Sequence, residues 1–340
     1  MQRSMRQIAA MVRTLAARIE RFPVRGAFTI ARGSKTHVDV VVAQITDGAH
    51  TGRGEGTAIY YKGDCAQSAL AALQGAADAV AAGATRADLL ALLPAGAARN
   101  AADCALWDLE AKATGTRVWQ RLALPVPQPM LTAYTISLGD PAAMAAAAHT
   151  VRGRELLKVK LGGDGGWLAD IDRLAAVRRA APDARLIVDA NEAWAGSDIE
   201  RTLARLAPMG VELVEQPVPA GRDAELDGLR CAVPIAADES CHDRASLDAI
   251  VGRYQFINIK LDKAGGLTEA LALRHAAAAR GLGVMTGCML CTSLAIAPTF
   301  MVAMQGRFAD LDGPLLIEDR PHGLRFDASD VFPPPPELWG

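Results

Sequence analysis

Three acids close three successive short apolar runs: Asp189 in IVDAN, Glu215 in LVEQP and Asp238 in AADES. Carboxylate oxygens offered together suit a hard divalent cation such as Mg²⁺, which keeps positions open for water or substrate. One acid in such a place is more often a helix cap; three in consecutive units point to a metal site. Two further runs end in lysine. In Leu157-Lys158-Val159-Lys160 strand alternation puts both ammonium groups on one face, and Ile257-Asn258-Ile259-Lys260 does the same for Asn258 and Lys260. Lysines facing outward from a strand would be bland, but a barrel's outer side is covered by helices. Near a dication and in a partly dry cavity a lysine pKa falls, which makes the amine a usable base.

The elements that must position these groups change character along the chain. Residues 14–61 are strand-like, with a β-branched run at 38–45 and Gly48, Gly52, Gly54 and Gly56 punctuating the end of the sheet. Helical pattern dominates 65–120, with Leu106 and Leu109 on one face. Strands followed by helices describe an α+β domain. After Pro125, Pro127 and Pro129, apolar runs alternate with helical segments at 131–137, 156–160, 185–189, 212–215, 234–238, 256–260, 283–287 and 308–312. Eight such units predict a closed parallel α/β barrel, whose active site lies at the C-terminal ends of the strands. Neighbouring strands stand about 4.8 Å apart, so the three acids converge. Strands two and six lie opposite each other in an eight-stranded ring. Lys160 and Lys260 thus flank whatever the cation holds, one to remove a proton from carbon and the other to return it on the opposite side. The expected boundaries are a disordered leader over 1–13, a capping domain over 14–128, the barrel over 129–316 and a tail over 317–340. Pro333–Pro336 would stiffen that tail, which packs back on the first domain.

Bulk properties narrow the function classes. A chain of 340 residues, 51% hydrophobic, can bury a large core, and a formal net charge of −2 with no basic block argues against a nucleic-acid partner. No apolar run reaches the roughly 18 residues of a membrane-spanning helix. Arg3, Arg6, Arg13 and Arg18 precede the first acid, Glu20, but no continuous apolar centre follows, so an upstream start accounts for the leader better than a targeting peptide. The six cysteines are scattered and read as buried thiols of a reducing compartment. Cys288 and Cys291 form a C-x-x-C without the second pair a zinc site needs. Gly162, Gly163, Gly165 and Gly166 make a turn rather than a phosphate loop, Gly265-Gly266-Leu267 opens a helix at the mouth, and His242 reads as structural.

With KVK, the three acids, ADESCHDR, INIKLDKAGGLTEALAL, GCMLCTS and ADLDGP in place, the chain resembles the enolase superfamily in its muconate-lactonizing subgroup, and within it the dipeptide epimerases. The resemblance runs from about residue 15 to residue 316. It implies a modified TIM-type (β/α)7β barrel with an α+β N-terminal capping domain, and a cytoplasmic isomerase acting on L-Ala-D/L-Glu in murein peptide recycling. It further implies Mg²⁺ held by Asp189, Glu215 and Asp238, with Lys160 and Lys260 as paired acid and base and Lys158 beside the substrate carboxylate. Asn191, Glu239 and Asn258 would orient these groups. Asp310 and Asp312, on one face of strand eight, would take the substrate's α-ammonium; helix capping is their bland alternative. Arg32 is the candidate for the glutamate side chain, with Arg25 and Lys35 behind it. Strand seven contributes Cys288 and Met289 where an acid-sugar dehydratase carries a histidine. A homo-oligomer is expected. The competing readings are an o-succinylbenzoate synthase or muconate-type cycloisomerase on the same scaffold, whose anionic substrates need no aspartate pair, and a catalytically idle metal-binding barrel.

Overall fold

A computed structural model describes residues 13–340, so the leader expected over 1–13 lies outside the described residues apart from Arg13. Strands β1 (Thr14–Ile30), β2 (Gly33–Thr46) and β3 (Thr51–Thr57) pair antiparallel in that order. Alternation along β2 turns Val41, Ala43 and Ile45 toward the cap's own helices and Val40 and Val42 toward the barrel, so both faces are buried. Helices α1 (Ala66–Gly75), α2 (Ala77–Ala81), α3 (Arg86–Leu92), α4 (Ala97–Thr114) and α5 (Val118–Arg121) complete the unit.

Gly52, Gly54 and Gly56 do not end the sheet, as their spacing suggested; they lie inside β3. A Cβ on them would stand 2.1, 2.1 and 2.2 Å from the carbonyl oxygens of Ala105, Ala101 and Ala97, so the alternate glycines are the groove into which α4 settles. From there α4 reaches the barrel. Arg99 donates to the carbonyls of Ala264 (2.7 Å) and Gly265 (3.0 Å), Asn100 to Asp262 (2.8 Å), and Asp103 accepts from the amide of Thr268 (2.9 Å). Gly265 and Gly266 therefore face α4, since a Cβ there would strike Arg99 and Asp103; they form a docking surface between the two units.

After β4 (Met130–Leu131), the barrel runs β5 (Tyr134–Ile136), α6 (Pro141–Thr150), β6 (Leu156–Lys160), α7 (Gly166–Ala180), β7 (Arg185–Asp189), α8 (Ile199–Leu206) and β8 (Val211–Glu215). It continues with β9 (Ile235–Ala237), α9 (Leu247–Ile250), β10 (Phe256–Ile259), α10 (Leu261–Ala264), α11 (Leu267–Ala279), β11 (Gly283–Gly287), α12 (Ser293–Ala303), β12 (Phe308–Asp310) and α13 (Gly313–Leu316). The eight strands β5 to β12 form one parallel sheet in sequence order, and the Ala133 amide closes it by donating to Ala309 at 2.8 Å. The connection after β8 is a 3₁₀ turn, Asp223–Leu226, in place of an α-helix. Strand one is shorter than its apolar run because Leu131 pairs with Asp330 instead, and strands five and eight stop short of Asp238 and Asp312, which line the mouth. An apolar plug of Leu156, Ile187, Leu213, Ala236, Met285 and Phe308 fills the barrel floor.

Beyond α13, β13 (Phe326–Asp327) pairs with β14 (Asp330–Val331), and β14 with β4. The last residues return to the cap: the Trp339 indole donates to the Cys104 carbonyl (2.9 Å) and the Gly340 amide to Asp108 (2.8 Å), both on α4. Because the glycine groove admits no methyl group, Gly54→Ala is expected to lower the unfolding free energy by about 3 kcal/mol, read from urea denaturation; a midpoint within experimental error of the parent's would refute that packing.

Candidate active site

Parallel register fixes the floor of the site. Lys160 pairs with Asp189, and Asp189 with Glu215, across β6, β7 and β8, so one row at the strand ends carries all three. Asp238 follows β9, Asn258 lies on β10 and Lys260 directly after it. Each of these residues is at most 7% exposed. Burying carboxylates and ammonium groups together is tolerable only if each finds a partner of opposite charge.

The partners follow a pattern. On each acid, one oxygen is held by a hydrogen-bond donor other than the cavity lysines and the other faces a cavity lysine; Glu215 Oε1 in addition lies 3.9 Å from Lys260. Asp189 Oδ1 accepts the Asn191 amide (2.9 Å), while Oδ2 meets Lys160 (2.6 Å) and Lys158 (3.3 Å). Glu215 Oε1 accepts the Asn258 side-chain amide (2.7 Å), while Oε2 lies 2.6 Å from Lys158. Asp238 Oδ1 accepts Lys263 (2.5 Å), while Oδ2 meets Lys260 (2.6 Å).

Charges shift accordingly. Burial opposes ionisation of Asp189 and Asp238, but the lysines outweigh it and hold both below the usual carboxylate range. Glu215 is pushed up to about 7 by burial and by the neighbouring Asp189. The expected fall in lysine pKa is reversed here. Burial lowers Lys158 and Lys260, yet Asp310, Glu215 and Asp189 around the first, and Asp238 and Glu215 around the second, raise both above the ordinary value. Unbalanced carboxylates outweigh desolvation until another cation shares their charge.

Among the described residues no three acid, cysteine or histidine side chains converge openly on one point, because ammonium groups stand between the acids. The donor set nevertheless fits a hard dication. Its oxygens are all carboxylate, and Glu215 Oε2 is buried with no hydrogen bond despite the nearby Lys158. Glu239 Oε2 and Asn191 Oδ1, on side chains that meet each other at 3.4 Å, are likewise unpartnered.

Above this floor lies a cavity of ≈ 210 Å³, roofed by the β1–β2 turn and lined from the barrel by Lys158, Lys160 and Lys260. Cys288 and Met289, after β11, form one wall. Asp310 and Asp312 form another; Asp310 ends β12, whereas Asp312 has left the strand and precedes α13, where it makes no cap. Asp310 Oδ2 binds Lys158 (2.7 Å) and its buried Oδ1 is unpartnered, while Asp312 Oδ2 accepts the Thr135 amide (2.6 Å). Burial and the adjacent Asp310 push Asp312 up to about 7.

Arg32 lies in the roof, but two acids occupy it: Glu192 at 2.7 Å and Glu239. It clamps the cap onto the barrel and is not a free cation. Lys35 has no carboxylate partner among the described residues; its ammonium sits 4.1 Å from the centre of the Tyr60 ring, on the cavity wall, and burial lowers its pKa. Arg25 is exposed and borders a separate cavity next to β5. His242 Nε2 lies 2.9 Å from the Glu239 carbonyl, with its pKa lowered to about 4 by burial and by Lys263.

Two positioning residues escaped the sequence reading. Lys263 is one. Gln216 is the other: its Oε1 accepts the amides of Asp238 (2.8 Å) and Ser240 (3.1 Å), from a backbone held at φ 37°. LVEQP and KLDKAGG contain both residues, but neither alternation nor charge singles them out.

Comparison with known proteins gives the same placement. Residues 142–336 match the family description "Enolase C-terminal domain-like", and residues 12–123 match "Mandelate racemase / muconate lactonizing enzyme, N-terminal domain". The chain belongs to the enolase superfamily. It is 43% identical over 323 residues to the L-Ala-D/L-Glu epimerase of Escherichia coli (strain K12), spanning 94% of this chain and 99% of that one. An enolase family member from Agrobacterium tumefaciens with homology to dipeptide epimerases, solved with sodium and L-Ala-L-Glu and with an ordered loop, superposes with a TM-score of 0.93 at 51% identity, covering 96% of this chain and all of that one. The dipeptide epimerase of Cytophaga hutchinsonii, complexed with Mg and D-Ala-L-Val, reaches 0.87 at 27% identity over 95% and 94% of the two chains. This superfamily member is an isomerase of the epimerase kind.

The raised pKa of Asp312 has a consequence for stability. A carboxylate whose folded value, about 7, exceeds its ordinary 3.8 weakens the fold increasingly as pH rises between the two. Asp312→Asn keeps an acceptor for Thr135 and removes the charge. In EDTA its gain in melting temperature over the parent is expected to be larger at pH 8 than at pH 5; equal gains would contradict the assignment.

Proposed function

We propose that this enzyme interconverts L-Ala-D-Glu and L-Ala-L-Glu, with Mg²⁺, by moving the α-proton of the second residue between Lys160 and Lys260, and that it serves murein peptide recycling. The observation that carries the reading is the pair of buried carboxylates, Asp310 and Asp312, on the wall of a cavity that also holds both lysines. Asp310 has a buried oxygen without a partner and Asp312 has no ion pair among the described residues, and a substrate bringing an α-ammonium supplies positive charge to both. The anionic substrates of a synthase or cycloisomerase on this scaffold would bring no positive charge to Asp312 and none beyond Lys158 to Asp310.

Asp189, Glu215 and Asp238 would hold the cation. When bound, it supplies positive charge that stabilises the negative charge developing on the substrate's carboxylate. The chain's own groups do the rest. Lys158, among Asp189, Glu215 and Asp310, adds fixed positive potential at that end. Lys160 and Lys260 stand on β6 and just after β10, four strands apart in the ring, and so address opposite faces of one carbon. Burial lowers Lys260 while Asp238 and Glu215 raise it above its ordinary value, and a dication held by those acids would weaken their effect on the amine. The lysine on one face removes the α-proton and the lysine on the other returns one, which inverts the centre. Lys35 is placed to meet the glutamate side chain, while Arg32 holds the roof closed over it.

In D₂O with Mg²⁺, both dipeptides are expected to exchange the α-proton of the second residue, followed by proton NMR. Lys160→Ala and Lys260→Ala should each abolish exchange from one diastereomer at least. A parent protein that exchanges neither would end the epimerase reading. Lys35→Ala is expected to raise KM for L-Ala-L-Glu about 10–100-fold through loss of a charge-assisted contact, and to leave L-Ala-L-Ala nearly unchanged; equal losses on both would remove Lys35 from side-chain recognition.

A further inference from the structure

Lys263 takes no part in the cavity. It sits on the one-turn helix α10, its side chain 1% exposed. Its ammonium has four acceptors: Asp238 Oδ1 (2.5 Å), the Asp238 carbonyl (2.6 Å), the Cys241 carbonyl (2.8 Å) and the Asn258 carbonyl (2.9 Å). A charge so enclosed does not leave, so Asp238 Oδ1 is permanently taken. Asn258 does the same to Glu215: its amide holds Oε1 at 2.7 Å, in a space kept open by Gly287, where a Cβ would stand 2.7 Å from the Asn258 oxygen. The Asn191 amide completes the set on Asp189 Oδ1. The remaining oxygens are the ones that face Lys158, Lys160 and Lys260.

We propose that Lys263 and Asn258 are positioning residues that leave Asp238 and Glu215 one available oxygen each, and that this selects Mg²⁺ over Ca²⁺. The inference rests on the reading that these carboxylates hold a divalent cation. Mg²⁺ is small, takes six ligands in near-octahedral array and suits acids that offer a single oxygen. Ca²⁺ takes six to eight oxygens and profits from carboxylates that offer both. Blocking the second oxygen of each acid removes the ligands by which Ca²⁺ would gain. Lys263 also ties the backbone after β9 to that of β10, so the blocked oxygen and the strand ends move together.

Mg²⁺ and Ca²⁺ affinities of the parent, Lys263→Met and Asn258→Leu should be measured by calorimetry without substrate, with circular dichroism to verify folding. The expected result is that either substitution shifts the affinity ratio toward Ca²⁺ by about 10-fold. A merely structural role would weaken both ions alike, and an unchanged ratio in the folded variants overturns the proposal. Asn258→Leu carries the test if Lys263→Met does not fold, since it frees an oxygen on a different acid. A parent that binds neither ion would instead overturn the metal reading.

Discussion

Several carboxylates buried beside one another in a space with little water dominate this protein. Asp189, Glu215, Asp238 and Glu239 stand in or next to one barrel mouth, almost fully enclosed, and each raises the cost of ionising its neighbours. Such a cluster persists only if cations are delivered to it. Lys158, Lys160 and Lys260 come from strands two and six, Lys263 from the turn after strand six, and Arg32 from the other unit of the chain. The two kinds of cation differ. Lys263 is enclosed by four acceptors, whereas the other three lysines border the cavity and can be displaced from their acids.

That division explains why the cap must be so rigidly placed. The roof is a β-turn, and a turn by itself holds no fixed position over a barrel. Here it is pinned at its tip by Arg32 between Glu192 and Glu239, and at its base by α4, locked into the glycine groove of β3 and hydrogen-bonded to the segment that follows Lys260. Movement of the roof therefore disturbs the ion pairs of the floor. Glu239 is the shared member, since it follows Asp238 in sequence and accepts from Arg32 in space.

Much of this was legible in the chain. A period of two along Leu156–Lys160 and Phe256–Lys260 decides which side chains point inward, and an eight-unit rhythm decides that strands two and six are opposed. The acids at three consecutive strand ends are consequences of the same periodicity. Register brings Lys160, Asp189 and Glu215 into one row, and on the β7–β8 side it does so across an irregularity between Leu186 and Ile187. Glycine was misread in one place: as a local signal it marks the end of a sheet, while Gly52, Gly54 and Gly56 answer to a helix distant in sequence; Gly265 and Gly266 open the helix their pattern announced and also pack against α4.

What the sequence by itself determined was therefore the set of reactive groups and the barrel that gathers them, since both follow from short-range periodicity and strand count. Only the tertiary structure decided who neutralises whom. Arg32 and Lys35 are three residues apart in one turn, and nothing local says that the first will be consumed by two acids from β7 and β9 loops while the second, on the cavity wall, meets the Tyr60 ring and no carboxylate among the described residues. Lys260 and Lys263 differ in the same way: one borders the cavity and the other is sealed beneath it. Charge pairing in a buried site depends on distances across the fold, and those exist only once cap and barrel have closed on each other.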